Sequence, residues 1–243
     1  MNLVVIIQAR MGSTRLPGKI LKDICGQPML VRVINRVRRA ELPSKINVAT
    51  TPEAADSAVA DLCAAHSIDV FRGSELDVLD RYYQTALVSG ADAVMRVTAD
   101  CPLIDPEVLD RLISVFEESK PDYASTALVR TFPHGLDAEV MTMDALKLAW
   151  REASKPYERV HVTPYLYLNQ DRFRCVNVAC EADYSRLRWT VDTAEDLELI
   201  RNIYSRLGPG DSFGWRDVLA VFEREPALAD INRGISQKRL EEC

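Results

Sequence analysis

Residues 9–19 concentrate groups that bind phosphate within eleven positions. They read Ala-Arg-Met-Gly-Ser-Thr-Arg-Leu-Pro-Gly-Lys and hold three cations, two glycines and two hydroxyls. Glycines let backbone N–H groups approach an anion, and arginine and lysine neutralise its charge, which together suit a polyphosphate. The alternative interpretation is a solvated basic loop without a ligand. We favour a ligand, because an exposed loop has no structural need for so many cations directly after a strand. We therefore predict that this segment binds a polyphosphate.

Two common nucleotide-binding patterns do not fit this segment. Gly18-Lys19 is followed by Ile20, and the preceding glycine is Gly12, six positions earlier, so the Walker pattern G-x-x-x-x-G-K-[ST] is not matched. The pattern G-x-G-x-x-G is not matched either. The sequence therefore argues against a nicotinamide-dependent dehydrogenase. Such enzymes have a glycine-rich motif in the turn after the first strand, and this chain has cations there.

A carboxylate that could bind a metal follows the apolar run at 93–98. Asp100 stands in the sequence Thr-Ala-Asp-Cys-Pro. Mg²⁺ prefers oxygen ligands, often one or two carboxylates with phosphate oxygens and waters. Open α/β sheets also bind their ligands at the carboxyl ends of strands. The alternative role for Asp100 is a helix N-cap or a turn residue before Pro102.

The elements that must position these residues alternate between strand and helix patterns. Apolar, β-branched runs predict strands at 3–9, 45–51, 69–71 and 93–98, and helical spacing predicts helices at 28–39, 53–66, 76–89 and 106–118. Short connections between them indicate a mostly parallel sheet with helices on both faces.

The second half of the chain changes character after Asp105. We predict a strand at 122–128, a turn at 131–135, and a segment at 138–143 that pairs with the strand as a hairpin or ribbon. A helix follows at 143–154, then a less regular stretch at 155–190 that faces the acceptor or forms an oligomer contact. Helices at 194–207 and 215–225 precede a polar, mobile tail after Ala229.

Length and composition narrow the class of protein. With 243 residues the chain is predicted to form one domain, 1–243, with a nucleotide-binding half (1–105) and an acceptor-side half with the C-terminal helices (106–243). A net charge of −6 argues against a nucleic-acid partner. The chain shows neither a leader pattern nor an apolar run of membrane-spanning length, so we expect no membrane partner and a cytoplasmic location.

The six cysteines are predicted to be free thiols in a reducing compartment. They stand at 25, 63, 101, 175, 180 and 243, without a C-x-x-C pair or a zinc-type spacing with histidine. Only Cys101 adjoins the candidate site, beside Asp100. We expect it to act as a small buried hydrophobe.

Five segments, in order over most of the chain, carry a resemblance to a known family. They are residues 5–19, Phe-Arg-Gly-Ser-Glu-Leu-Asp-Val-Leu-Asp-Arg-Tyr (71–82), Arg-Val-Thr-Ala-Asp-Cys-Pro-Leu-Ile-Asp (96–105), His-Val-Thr-Pro-Tyr (161–165) and Trp-Thr-Val-Asp-Thr-Ala-Glu-Asp-Leu (189–197). Together they resemble the cytidylyltransferases that activate acidic sugars, the CMP-KDO and CMP-sialic acid synthetases. The chain is most similar to their homologues of the spore-coat polysaccharide type.

This resemblance implies a fold, a cofactor and partners. The fold would be α/β with three α/β/α layers, the Rossmann-like fold of nucleotide-diphospho-sugar transferases, with a mostly parallel sheet and a small acceptor-side insertion. The cofactor would be Mg²⁺. The partners would be CTP, or another NTP, and a small sugar-like acceptor, and relatives of this type are often homodimers.

The resemblance also implies roles for particular residues. Lys19, Arg10 and Arg15 would be the catalytic cations around the triphosphate. The nucleotide-binding set would include them together with Ala9, Gly12, Ser13, Arg72, Asp77 and Thr98. Asp100 and Asp192 would bind the metal, with Asp192 closing on it when the acceptor is bound. The acceptor would contact His134, Asp137 and Glu139 in the insertion and His161 in the next segment.

Several of these residues have a structural alternative. Asp192 could cap the helix that begins near Ala194, with Glu195 as the capping-box partner of Asp192 or of Thr193. Arg72, Asp77 and Arg81 form a second polar group, and a surface helix in which Asp77 pairs with Arg81 at i,i+4 would explain two of them without function. The two histidines could be packed or surface residues.

The predicted reaction is transfer of CMP from CTP to a sugar or acidic-sugar acceptor, with release of pyrophosphate. Thr98 stands where CMP-KDO synthetases have glutamine, and Ala99 stands where the spore-coat type usually has glycine. Because of these differences, the resemblance does not identify KDO or sialic acid as the acceptor of this chain. One alternative is a nucleotidyltransferase that uses another base or a phosphorylated acceptor, for which Arg130, Arg159, Arg172, Arg174, Arg186 and Arg188 are available. Another is a nucleotide-binding homologue without turnover.

Overall fold

The first half of the chain alternates strands and helices in the computed structural model, which describes residues 1–237 and 240. In chain order it forms β1 (Leu3–Gln8), a 3-10 turn at Lys19–Leu21, a ribbon of β2 (Asp23–Ile24) and β3 (Gln27–Pro28), α1 (Met29–Val37), β4 (Lys45–Thr50), α2 (Ser57–Ala65), β5 (Asp69–Arg72), α3 (Val78–Val88) and β6 (Ala93–Thr98). The predicted strands and helices of this half are confirmed, with ends that differ by a few residues.

The second half completes the same sheet. It forms α4 (Pro106–Ser119), β7 (Tyr123–Ser125), β8 (Glu139–Thr142), α5 (Met143–Glu152), α6 (Pro156–His161), α7 (Pro164–Tyr167), β9 (Cys175–Asn177), α8 (Ala194–Leu207), α9 (Trp215–Arg224) and a 3-10 turn at Pro226–Asp230. The predicted strand at 122–128 ends at Ser125, whose Oγ accepts the N–H of Ala127 and turns the chain out of the sheet. The stretch at 155–190, expected to be less regular, holds α6, α7 and β9.

Seven strands form one sheet in the order β5-β4-β1-β6-β8-β7-β9. Only β8 runs against its two neighbours, and the other adjacent pairs are parallel. The predicted pairing of 138–143 with the preceding strand is confirmed, since β8 pairs with β7. The sheet is therefore mostly parallel, as predicted, and it runs through both halves of the chain.

Alternate residues of the central strand face two separate cores. Leu3, Val5 and Ile7 pack into a cluster with buried residues of α1, α4, α8 and α9. Val4 and Ile6 pack into a second cluster with α3, α5 and α7. Because both faces of β1 are covered, the strand reads as a continuous apolar run. The result is the expected three-layer α/β/α arrangement.

The cysteines of the described residues are free thiols, as predicted. Cys25, Cys63, Cys101, Cys175 and Cys180 form no disulfide with one another, and Cys243 lies outside the described residues.

Among the helices of residues 1–237 and 240, none combines the length and apolar content that crossing a bilayer requires.

Gly135 fixes a close contact between two loops at the carboxyl edge of the sheet. The backbone N–H of His134 donates to Leu187 O at 2.9 Å, and the N–H of Trp189 donates back to His134 O at 2.6 Å. Gly135 has a φ of +106°, and a Cβ built on it would lie 2.7 Å from the carbonyl carbon of Trp189. An L side chain fits neither the dihedral nor the space.

We expect Gly135→Ala to lower the free energy of unfolding by about 3 kcal/mol or more, through the strained φ and the contact with backbone atoms. Gly234→Ala is the matched control, because Gly234 is exposed and its built Cβ meets nothing within 4 Å. That control should stay within about 0.5 kcal/mol of wild type in urea unfolding followed by circular dichroism. Equal stabilities for the two variants would contradict the proposed contact.

Candidate active site

A cleft of about 530 Å³ opens at the carboxyl ends of β1 and β6. Its walls come from the loop after β1, the turn after β6, the 130–137 loop, the end of α6 and the segment before α8. Five arginine and lysine side chains and three aspartates line it: Arg10, Arg15, Lys19, Arg96, Arg130, Asp100, Asp137 and Asp192. The lining thus carries an excess of two positive charges inside a protein whose net charge is −6.

Lys19 joins three separate parts of the chain at the centre of this cleft. Its Nζ donates to Asp100 Oδ2 at 2.7 Å, to Asp192 Oδ1 at 2.9 Å and to the carbonyl of Val191 at 2.8 Å. The prediction that the cationic segment and Asp100 share one cleft is confirmed. Lys19 is 9% exposed, so its ammonium is largely shielded from water, while the two carboxylates are partly exposed to the cleft.

Lys19 and Asp100 stabilise each other's ionised forms. Burial disfavours the ammonium of Lys19, but the carboxylates of Asp100 and Asp192 outweigh it and raise the pKa of Lys19. Burial likewise disfavours the Asp100 carboxylate, but the charge and hydrogen bond of Lys19 lower the pKa of Asp100 to about 2. Both groups are therefore ionised at neutral pH.

The loop that carries Lys19 is held by backbone and carboxylate contacts. Gly18 adopts a left-handed φ of +65°, and its N–H donates to Met11 O at 3.2 Å. The N–H of Met11 donates to Asp56 Oδ1 at 2.6 Å, and Thr51 donates its hydroxyl to the same carboxylate. The loop closes on itself and is anchored to the segment after β4, which sets the position of Lys19.

Asp192 is surrounded by cations and does not cap α8. Its Oδ2 accepts from Arg15 at 2.9 Å and from Arg188 at 2.8 Å, in addition to the Lys19 contact at Oδ1. Thr193 is the N-cap residue, and its capping-box partner is Asp196. The alternatives of an Asp192 cap and of Glu195 as the partner are therefore wrong, because the helix starts one residue later than such a cap requires.

Asp100 lies in a turn and Cys101 is buried beneath it. The N-cap of α4 is Asp105, whose side chain accepts the N–H of Glu107, so the N-cap alternative for Asp100 is wrong. Cys101 is 2% exposed, and burial followed by the charge of Asp100 raises the pKa of its thiol well above 9. It is a small buried thiol, as predicted.

Most of the predicted site residues line the cleft. They are Arg10, Gly12, Ser13, Arg15, Lys19, Thr98, Asp100, His134, Asp137, His161 and Asp192. Two of them are histidines whose pKa is lowered by burial and by a neighbouring arginine, Arg130 for His134 and Arg96 for His161. Both imidazoles are therefore neutral at pH 7.

Three predicted nucleotide-binding residues lie outside the cleft lining. Ala9 is buried in the core, and its N–H donates to the carbonyl of Ala49 at 3.1 Å. Arg72 donates to the carbonyls of Thr51 and Glu53, both at 2.9 Å. The N–H of Ala9 and part of the Arg72 guanidinium are thus used by backbone contacts within the fold, and the roles of both residues in nucleotide binding stay predictions.

Asp77, the third such residue, has a structural role. It caps α3 by accepting the N–H of Asp80, and it forms an ion pair with Arg159 of α6. The expected Asp77 to Arg81 pair is not formed, since Arg81 donates to the carbonyl of Ser74 instead. Sequence spacing could not reveal a partner 82 residues away.

Glu139, a predicted acceptor contact, lies behind the cleft wall. One carboxylate oxygen accepts the hydroxyls of Tyr123 and Thr163, at 2.5 and 2.6 Å, and the other accepts from Arg96. The carboxylate is thus used inside the fold. Arg96 does line the cleft, and the sequence interpretation missed it although a cation inside the apolar run 93–98 was a visible signal.

Of the six arginines proposed for a phosphorylated acceptor, only Arg130 lines the cleft. It forms an ion pair with Asp137. Arg188 lies one contact further away, on Asp192 and Asp196. Arg159 and Arg172 pair with Asp77 and Glu152 outside the cleft lining.

Asp100 and Asp192 provide a donor set that fits Mg²⁺ only together with a ligand. Within residues 1–237 and 240, no cluster of three or more His, Cys, Asp or Glu side chains is placed to hold a metal ion. Asp100 Oδ1 accepts the weak hydrogen bond of the Cys101 thiol, at 3.7 Å, and Asp192 Oδ1 accepts from Lys19. These two oxygens keep acceptor capacity for a cation whose other ligands are phosphate oxygens and waters.

Comparison with known proteins gives one family over most of the chain. Residues 4–207 match the family model described as cytidylyltransferase. An uncharacterised protein of Methanocaldococcus jannaschii is 34% identical over 100% of this chain and 99% of its own. The spore coat polysaccharide biosynthesis protein SpsF of Bacillus subtilis is 30% identical over 94% of this chain and 97% of its own.

Two further proteins connect the sequence to solved structures and to acidic sugars. A cytidylyltransferase structure from Leptospira borgpetersenii superposes with a TM-score of 0.91 at 31% identity, covering 98% of this chain and 100% of that one. A 3-deoxy-manno-octulosonate cytidylyltransferase of Brucella ovis is 38% identical over 51% of this chain and 50% of its own. The second similarity covers only about half of each protein.

We expect Lys19→Met to raise the pKa of Asp100 from about 2 toward or above 3.8, because burial would then act without the opposing ammonium. Since the wild-type pKa lies below 3.8, this ion pair stabilises the fold above pH 4, and the contribution is lost as the pH falls toward 2. A ¹³C NMR titration of the Asp100 carboxyl measures the shift. Lys45→Met removes an exposed pair with Asp69 and should leave Asp100 unchanged. An unchanged Asp100 pKa in Lys19→Met would contradict this electrostatic account.

Proposed function

We propose, from the premise that this chain belongs to the cytidylyltransferase family, that it transfers CMP from CTP to a sugar or acidic-sugar acceptor and releases pyrophosphate. The observation that carries this proposal is the contact of Lys19 with Asp100 and Asp192 in one cleft. It joins the phosphate-binding loop to two carboxylates suited to a metal. The similarity to SpsF and, over half of the chain, to a 3-deoxy-manno-octulosonate cytidylyltransferase supports a sugar-like acceptor.

The reaction proposed is an in-line displacement at the α-phosphorus of CTP. A bond forms between an acceptor oxygen and phosphorus, the bond from phosphorus to the pyrophosphate oxygen breaks, and the acceptor proton is lost. Arg10, Arg15 and Lys19 neutralise charge on the α-phosphate and on the leaving group. The backbone N–H of Ser13 already donates to Met11 O at 2.8 Å, so the Ser13 hydroxyl and the N–H of Gly12 are the groups suited to the triphosphate. No covalent intermediate on the protein is needed.

We propose that Asp100 and Asp192 hold Mg²⁺ with the triphosphate. The cation would supply charge neutralisation on the phosphate oxygens when bound. Asp100 is ionised at neutral pH because its pKa lies near 2, so it is ready to act as a ligand. Asp192 is oriented by Arg15 and Arg188, which hold its Oδ2 from two sides.

A sugar phosphate is the second candidate acceptor, favoured by the two cations Arg96 and Arg130 in the cleft lining. A binding protein without turnover is a weaker candidate. Its site would have no use for a buried lysine that holds two carboxylates at the end of the phosphate loop. One assay can therefore test both whether the protein turns over CTP and which acceptor it uses.

Pyrophosphate release should be measured with each of the four NTPs, with Mg²⁺, against 3-deoxy-manno-octulosonate, N-acetylneuraminate and glucose 1-phosphate. We expect release with CTP and at least one acceptor, and much less with ATP, GTP or UTP. Release with a purine nucleotide alone would contradict the proposed base. Binding of CTP without release with any acceptor would favour the protein without turnover.

We expect Asp100→Asn to reduce turnover by at least about a hundredfold while the circular dichroism spectrum stays unchanged, because the metal would lose a carboxylate ligand. Asp69→Asn is the control, since Asp69 is an exposed partner of Lys45 at the far edge of the sheet. It should release pyrophosphate at the wild-type rate. An Asp100→Asn enzyme with wild-type turnover would remove this residue from the mechanism.

A further inference from the structure

Arg96 is a cation placed in the middle of an apolar strand. It stands on β6 directly opposite Glu139 of β8, and its Nη1 donates to that carboxylate. Tyr123 and Thr163 donate to the other oxygen of Glu139, so the carboxylate is fully engaged. A buried cation in a strand costs free energy, and Glu139 compensates it from one side of the guanidinium only.

Three buried polar atoms in the cleft lining have no hydrogen-bond partner among residues 1–237 and 240. They are Arg96 Nε, His161 Nε2 and Gln8 Oε1. Buried polar atoms in native proteins are almost always paired, so each unpaired one calls for an explanation. Three on neighbouring walls of one cleft indicate that a polar ligand completes them.

The chemistry of these atoms favours an anion at Arg96. Burial opposes ionisation of Arg96, but Glu139 outweighs it and raises the pKa of the guanidinium, which stays charged. Glu139 takes Nη1, which leaves the Nε–Nη2 edge of the guanidinium for a ligand. That edge matches two oxygens of a carboxylate or phosphate. His161 is neutral, because burial and Arg96 lower its pKa, so it suits a hydroxyl beside the anion.

The contacts of Arg96 differ from those of the proposed triphosphate cations. Arg10, Arg15 and Lys19 belong to the loop after β1. Arg96 and Gln8 stand on β6 and β1, also in the first half of the chain, but Glu139, which holds the guanidinium, stands on β8 in the second half. His161 ends α6, which also lies in that half. An anion at Arg96 therefore comes from the acceptor side.

We propose that Arg96, positioned by Glu139, binds an anionic group of the acceptor, a carboxylate or a phosphate, and thereby selects acidic over neutral sugars. This inference rests on the proposed function, because it takes CTP to occupy the loop after β1. It makes Arg96 a specificity-determining residue and Glu139 a positioning residue.

The test measures anion binding with the triphosphate site filled. The melting temperature of the full chain is recorded with saturating CTP, and then with increasing pyruvate, a carboxylate probe, or inorganic phosphate. We expect at least one anion to raise the melting temperature of the wild type further. In Arg96→Gln the apparent affinity for that anion should fall about ten- to a hundredfold, the usual effect of losing charge-assisted hydrogen bonds, while the shift caused by CTP remains.

A double variant controls for the case in which the single Arg96 variant fails to fold. Arg96→Gln with Glu139→Gln removes both buried charges together, so no unpaired carboxylate is left, and it should lose anion binding as the single variant does. Arg206→Gln with Glu225→Gln removes an exposed arginine–glutamate pair and is the matched control, which should bind both CTP and the anion normally.

Each outcome bears on one of the two claims. Absence of an anion effect in the wild type, or an unchanged effect in the Arg96 variants, overturns the inference. Loss of the CTP shift in the Arg96 variants also overturns it, because Arg96 would then serve the nucleotide. Absence of a CTP shift in the wild type instead refutes the proposed function. A stronger response to pyruvate than to phosphate identifies the acceptor group as a carboxylate, and the reverse identifies a phosphate.

Discussion

The bonding of one buried ammonium group by two carboxylates and a carbonyl organises the active cleft. Lys19 ties the loop after β1 to the turn after β6 and to the segment before α8, regions up to 173 residues apart in sequence. Removing Lys19 would leave the Asp100 carboxylate without its cation partner, which costs more than an exposed ion pair contributes. The three segments therefore take their relative positions from charge neutralisation as much as from apolar packing.

The charged side chains of the cleft form two groups, one around Lys19 and one around Arg96. Around Lys19, cations and carboxylates alternate, with Arg15 and Arg188 holding Asp192 while Lys19 holds Asp100. Around Arg96 a single carboxylate, Glu139, faces the guanidinium from the interior. The first group suits a metal-bound triphosphate and the second suits a simpler anion. An acidic protein thus has a cleft whose lining carries more cations than carboxylates, which suits anionic ligands.

Much of the fold could be predicted from the sequence because its signals are local. Residues 3–7 are apolar at every position, which indicates a strand covered on both faces, and β1 has that environment. Asp100 and the cationic loop were found because both follow apolar strands, whose carboxyl ends meet at one edge of a parallel sheet. The roles of Asp77 and Glu139 could not be found in this way. Their partners, Arg159 and Arg96, lie on other elements, and only the packing of α6 on α3 and the register of β8 bring them together.

The register of β8 connects the fold to the position of Arg96, the residue proposed to bind the acceptor. In the antiparallel pair, Arg96 stands opposite Glu139 and Val94 opposite Met141, so the charged pair and an apolar pair share one face of the sheet. A shift of one residue would turn both Glu139 and Met141 to the other face, because side chains alternate along a strand. Met141 is completely buried there, and its apolar neighbours would lose it in the shifted register. Hydrophobic packing around Met141 therefore fixes the position of Glu139, and Glu139 in turn fixes the guanidinium of Arg96 at the wall of the cleft.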